Sequence, residues 1–281
     1  MSIKINIWSG LCNQLLPLVS SHYLATKYKR KLFFYSKPLW ICENQCIGTK
    51  ITDFFIFEDT FIEVSNLLYS NECNIKLISK NGIYKNRLLT SELMSKNNIF
   101  IESVCHLIGS EFDNTELYNP QPTTEILKID YLLTMHYEFI KLKPIVSIQK
   151  KIEETLDYIS VYSNIISIHF RERDGGFMIN NKFMLEQFIS HIGSATKIYL
   201  SCDSYETEKY IKNIYKDRII TMINPFGSDF EKTNNSNNAI LNTICEIYIL
   251  SKFDTFYGTK SSSFSFVVWL LSKNNKLNFW N

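Results

Sequence analysis

The residues best suited to chemistry in this chain are His169 and Arg171, two apart at the end of the run Ile165-Ile166-Ser167-Ile168-His169-Phe170. A run of apolar and β-branched residues predicts a buried strand over 165–170. The cluster Arg171-Glu172-Arg173-Asp174, followed by Gly175 and Gly176, predicts the loop after it. Residues two apart on a strand project to one face. Ligands of open α/β sheets bind beyond the carboxyl ends of the strands. Arginine offers there a planar, permanently charged fork that matches phosphate oxygens. Taken alone, the stretch also reads as a strand with a solvated, charged end.

Three further turns share this logic, each after a predicted strand. In Gly10-Leu11-Cys12-Asn13-Gln14 the glycine allows close backbone approach, and the following helix offers free N–H groups and the positive end of its dipole. Asn13 reads equally as that helix's N-cap. In Ser201-Cys202-Asp203-Ser204 the carboxylate is either the next helix's cap or a base reader. Guanine presents two adjacent N–H donors that one carboxylate can accept, and uracil does not. In Gly258-Thr259-Lys260-Ser261-Ser262-Ser263-Phe264 consecutive hydroxyls open a helix whose body, 266–271, is apolar. That is a phosphate cradle in physical terms, or an ordinary serine cap. No GxGxxG fingerprint occurs in the chain, which argues against a dinucleotide-dependent dehydrogenase or a methyltransferase.

These turns need sheets to hold them. Residues 3–8, 15–28 and 31–35 read as strand, helix and strand, with Pro17 tolerated in the first turn of the helix. The next hundred residues are less regular. Runs 51–57, 74–78 and 99–104 are candidate strands, 114–124 a loop, and 126–142 a helix. Lys143-Pro144 breaks the pattern, which suggests an N-terminal Rossmann-like domain over 1–144 and a second, nucleotide-binding one over 145–281. In the second, helix 148–159 and strand 165–170 are followed by helix 182–192, strand 197–201, helix 205–215, strand 218–223, helix 239–252, strand 254–258 and helix 262–272. Such alternation predicts a doubly wound α/β unit. The Asn-rich stretch 229–238 reads as a loop able to cover an acceptor.

The 281-residue chain is 45% apolar and carries a net charge of +2, so no strong field points to nucleic acid. Its seven scattered cysteines argue against a disulfide framework. Cys42 and Cys46 could pair on a metal, but no second pair has zinc spacing. No apolar run reaches membrane-spanning length, and Met1–Trp8 reads as a strand rather than a signal peptide. A cytoplasmic location is the expectation, with room for peripheral membrane contact.

Gly10-Leu11-x-Asn13-Gln14, His169-x-Arg171, a strand ending in Asp203-Ser204, and Ser262-Ser263-Phe264 occur in that order from residue 10 onward. In this the chain resembles the GDP-fucose-dependent fucosyltransferases, both the bacterial α-1,2 enzymes and the protein O-fucosyltransferases. The resemblance implies two Rossmann-like domains in a GT-B arrangement, an inverting transfer and no metal or cofactor. It implies that Arg171 holds the diphosphate and stabilises the leaving GDP, with His169 beside the nucleotide and Asp203 on the guanine. By the same resemblance Ser262, Ser263 and Phe264 would bind phosphate, and Gly10 and Asn13 would approach from the N-terminal domain. The α-1,2 enzymes usually carry His-x-Arg-Arg-Gly-Asp; here Glu172 replaces the second arginine and Arg173 the glycine. Linkage and acceptor stay open, as does the base, for which Glu172 and Asp174 are candidates by position. Another nucleotide sugar, or a binding module without turnover, remains an alternative.

Overall fold

The structure, a computed structural model, describes residues 1–7, 10–41, 45–46, 48–65, 98–103, 129–174, 177–178, 180–227, 237–260, 262–272 and 278–280. The expected strand at 74–78, the loop at 114–124, most of the Asn-rich stretch, Gly175, Gly176 and Cys42 lie outside them. The chain divides into two units. One comprises Met1–Trp40 and Gly48–Lys143; the other comprises Ile41–Ile47 and Pro144–Asn281. The segment 41–47 thus belongs with the second unit, a detail that the sequence division at 144 does not contain.

In the first unit β1 (Ser2–Ile7) alternates so that Ile3, Ile5 and Ile7 are fully buried. It is followed by α1 (Leu11–Lys27) and β2 (Lys31–Ser36). With β3 (Phe61–Glu63) and β4 (Asn98–Ser103) they form a parallel sheet in the order β3-β2-β1-β4. The helix begins four residues earlier than the periodicity suggests, because Gly10 caps it with extended backbone and no side-chain bond. Pro17 therefore lies inside the helix rather than in its first turn, and Asn13 is a first-turn residue rather than the cap. Against α1 packs α2 (Ile129–Phe139). Glu138 on α2 ties the two: its carboxylate lies 2.5 Å from His22 Nδ1 of α1 and accepts Lys141 Nζ at 2.6 Å. Residues 51–57 are not one strand. Asp53 accepts the Lys50 N–H at 2.7 Å, which closes a 3₁₀ turn over Ile51–Asp53 before the short strand Phe55–Ile56.

The second unit opens with α3 (Val146–Ile159) and β5 (Ile165–Phe170). Next come α4 (Lys182–His191), β6 (Lys197–Cys202), α5 (Tyr205–Tyr215), β7 (Ile219–Ile220) and α6 (Asn237–Leu250). It closes with β8 (Phe256–Gly258), α7 (Ser263–Leu271) and β9 (Asn278–Phe279). Five of its strands form a parallel sheet in the order β7-β6-β5-β8-β9, and Arg173–Asp174 pairs separately and antiparallel with Phe177–Met178. The strand expected over 218–223 shrinks to Ile219–Ile220, and β9 adds an edge that the alternation pattern does not reveal.

The order runs one way from β5 to β7 and the other way from β5 to β9. That reversal is the topological switch point of a Rossmann-like sheet, and it lies between β5 and β8. On one face Ile168, Phe170, Ile198 and Leu200 pack with Leu185 and Ile189 of α4 and Ile211 of α5. Alternation sends Ser167, His169, Tyr199 and Ser201 to the other face, where α6 and α7 supply Glu246 and Ser265 as partners. Every residue of α7 after Ser263 is buried, as its apolar body requires.

Candidate functional site

The carboxyl ends of β5 and β8 converge on the Thr259 hydroxyl. It donates to the His169 carbonyl at 2.8 Å and accepts the Arg171 N–H at 2.9 Å. Trp280, just past β9, directs its indole N–H at the same pair, 3.1 Å from the His169 carbonyl and 3.1 Å from Thr259 Oγ1. Its ring packs on Phe170 at 5.0 Å. On the far side of Arg171, Asn180 Nδ2 donates to the Arg171 carbonyl at 2.7 Å. The backbone of His169 and Arg171 is thus held on both sides by side chains from other elements. The half-buried Arg171 side chain leaves a fixed point.

His169 is almost fully buried. Its ring stacks on Phe264 with centroids 4.2 Å apart, and Nδ1 lies 2.7 Å from Ser265 Oγ. Burial first, and then the charge of Arg171, push its pKa down to about 3. The imidazole is therefore neutral at physiological pH and can act as a hydrogen-bonding group, not as a cation.

Ser262 caps α7, its Oγ accepting the Ser265 N–H at 3.5 Å. The first N–H groups of the helix, on Ser263 and Phe264, have no preceding turn to bond. Among the described residues nothing accepts them, and no acidic side chain stands in that first turn. Such a helix start attracts an anion. Close packing brings it to the sheet: a Cβ on Gly258 would lie 2.8 Å from the Ser265 Cβ, so β8 must end in glycine here.

Asp203 is not the cap of α5. Ser204 is, accepting the Thr207 N–H at 3.4 Å. The exposed Asp203 carboxylate instead accepts the Glu172 N–H at 2.7 Å. Glu172 in turn accepts the Thr207 hydroxyl at 2.8 Å. Glu172 thus braces the β5 loop against the start of α5.

Of the expected residues, His169, Arg171, Asp203, Ser262, Ser263 and Phe264 all stand at the carboxyl edge of the second sheet. Gly10 and Asn13 stand at the start of α1 in the first unit. Gln14 is structural: fully buried, it donates to the Lys37 carbonyl at 3.1 Å and accepts the Ser36 hydroxyl at 3.0 Å. Thr259, Ser265, Asn180 and Trp280 are new. Thr259 and Ser265 carried a signal, since one follows the β8 glycine and the other lies one helical turn after the Ser262 cap. Among the described residues no group of three or more His, Cys, Asp or Glu could hold a metal ion.

No known family matches the sequence, and no curated protein does. Solved structures do match. FUT1 of Arabidopsis thaliana, an R284K mutant in complex with GDP, superposes with a TM-score of 0.64 at 13% identity, covering 96% of this chain and 68% of that one. The fucosyltransferase NodZ from Bradyrhizobium gives 0.63 at 14% identity over 96% of this chain and 93% of NodZ. POFUT1 in complex with GDP-fucose gives 0.56 at 11% identity over 99% and 95%. The chain has the fold of these fucosyltransferases. The expected fold class, α/β with two Rossmann-like units of the GT-B type, is borne out across nearly the whole chain.

Proposed function

We propose that this chain is a glycosyltransferase that moves fucose from GDP-fucose to a hydroxyl of a glycan acceptor, inverting the anomeric centre without a metal. The observation that carries the reading is the convergence, at the switch point of one sheet, of Arg171 and a helix start whose first N–H groups have no acceptor among the described residues. Phosphate-binding groups at that position suit a nucleoside diphosphate. The likeness in fold to proteins solved with GDP and GDP-fucose supports that choice of donor.

Departure of GDP builds negative charge on the β-phosphate while the sugar carbon becomes cationic. Arg171 meets that charge with a guanidinium whose backbone is fixed in advance. Donors of this kind act more strongly on the transition state than on the ground state. The Ser263 and Phe264 N–H groups, with Ser262, hold phosphate. Asp203 reads guanine with the carboxylate that also braces Glu172. His169 lies beside the nucleotide. The acceptor is a surface-polysaccharide precursor, and transfer takes place in the cytoplasm. Among the described residues no helix is long and apolar enough to cross a membrane.

The test is the melting temperature with GDP, UDP, ADP and CMP, in EDTA and again with Mg²⁺. Ligand at about one hundred times its Kd adds about 2.7 kcal/mol, a shift of several degrees. A selective GDP shift in EDTA supports the reading and calls for an acceptor screen with GDP-fucose. A shift with UDP alone, or only with metal, overturns it.

A further inference from the structure

Ser265 Oγ has two partners. It accepts the Thr259 N–H at 3.0 Å, and it lies 2.7 Å from His169 Nδ1. The hydroxyl is buried and, among the described residues, makes no other hydrogen bond. One of its two acceptor positions is therefore taken by Thr259, and its own hydrogen has a single acceptor within reach, His169 Nδ1. The reverse arrangement, with Nδ1 donating, would leave a buried hydroxyl hydrogen without any acceptor, which costs far more than the bond gains. The other ring nitrogen, Nε2, has no protein partner among the described residues and is not among the buried, unsatisfied polar atoms. It is the one polar atom of this otherwise enclosed ring that a ligand can reach.

We infer that Ser265 is a positioning residue that fixes His169 in the tautomer carrying its proton on Nε2, so that the imidazole presents a hydrogen-bond donor to an oxygen of the bound nucleotide. The ligand in this inference rests on the function proposed above; the tautomer does not. Three features lock the ring for that task. The Phe264 stack sets its plane, the Thr259 and Trp280 bonds to the His169 carbonyl set its backbone, and Ser265 sets its proton. The low pKa keeps the ring neutral, so that the donor does not depend on pH in the physiological range. Nearby charges do not compete: the charged group acting on His169 is Arg171, on the same strand end, and Phe264 and Ser265, which face it from α7, carry none.

The decisive measurement is imidazole ¹⁵N NMR on histidine-labelled protein, free of ligand. The chain has five histidines, so His169→Gln assigns the signal by its loss. The wild type should show His169 neutral and protonated on Nε2 alone. In Ser265→Ala, which keeps the Cβ that packs on Gly258, the Nδ1–H form should appear, and the Kd for GDP should rise about fivefold. In the His169→Gln background the same Ser265→Ala change should cost no further affinity. A wild-type ring protonated on Nδ1, a Ser265→Ala spectrum like that of the wild type, or an additive loss of affinity in the double variant would each overturn the inference. Should Ser265→Ala fail to fold, the wild-type spectrum alone still decides the tautomer. If the tautomer results hold but the wild type does not bind GDP, it is the proposed function that falls, and the Ser265–His169 assignment stands.

Discussion

The Thr259 hydroxyl accepts the backbone N–H of Arg171 at 2.9 Å, across the gap between β5 and β8. The switch point of a parallel sheet is where neighbouring strand ends diverge, and here one side chain spans it. Because the same hydroxyl donates to the His169 carbonyl, the two residues of the His-x-Arg pair share one anchor. The backbone that carries the guanidinium is thus set before a phosphate arrives.

Arg171→Ala should therefore lower the rate of transfer several hundredfold, a loss of about 3–4 kcal/mol of transition-state stabilisation. Arg171→Lys keeps the charge but not the fork and should also be impaired. Steady-state kinetics with GDP-fucose and an accepted glycan would check both. Turnover of Arg171→Ala within about tenfold of the wild type would rule out the role given to Arg171.

Trp280 should matter beyond its size. Trp280→Phe keeps a ring against Phe170 but removes the N–H shared by the His169 carbonyl and Thr259. The lost bond should cost about 0.5–1.5 kcal/mol of stability. Trp280→Ala also opens a cavity and should cost about 3–5 kcal/mol. Urea unfolding of the three proteins separates the two contributions. Equal losses for the Phe and Ala variants would show that the N–H, and not the packing, accounts for the whole effect.

The second unit is legible in the sequence where patterning is local. The apolar run of β5, the serine cap of α7 and the alternation from 182 to 272 each need only a few neighbouring residues to be read. His169 and Arg171 stand out because charge follows directly on an apolar strand. What escapes are relationships between distant positions. Trp280 meets His169 across 111 positions, and Asn180 reaches the Arg171 carbonyl across 9. Neither residue has a local signal. The start of α1 was displaced because a glycine cap makes no side-chain bond, so the first polar residue with capping chemistry, Asn13, drew the assignment instead. At α5 the cap is Ser204, one position after Asp203, which leaves the base-reading alternative for that carboxylate. The apolar run 51–57 has strand composition throughout, and Asp53 turns it into a 3₁₀ segment with one side-chain bond.

Gly258→Ala tests the fit of α7 on the end of β8. The added methyl would stand 2.8 Å from the Ser265 Cβ and 3.0 Å from its Oγ, so the helix start must move. Overpacking of this kind costs about 1–3 kcal/mol. The melting temperature should drop by several degrees, and GDP binding should weaken as Ser265 and the free N–H groups of α7 shift together. Unchanged stability with wild-type GDP affinity would show that the contact yields without cost.

His169 should leave a mark on the pH dependence of stability. Its pKa is about 3 in the folded protein, against about 6.5 in an unfolded chain. Above about pH 6.5 both states hold the ring neutral, and stability does not depend on it. As the pH falls below that value, the unfolded chain takes up a proton that the folded site refuses. Stability is then lost at up to about 1.4 kcal/mol per pH unit, until the folded ring itself titrates near pH 3. Carboxylates elsewhere also titrate in the lower half of that window, so the comparison must be with His169→Gln, which shares them. Between pH 6.5 and 5 the wild type should lose stability the more steeply of the two, by denaturant unfolding at each pH. Parallel curves over that interval would mean that His169 is protonated in the folded protein as readily as in the unfolded chain, and that its enclosure by Phe264 and Ser265 does not exclude the charge.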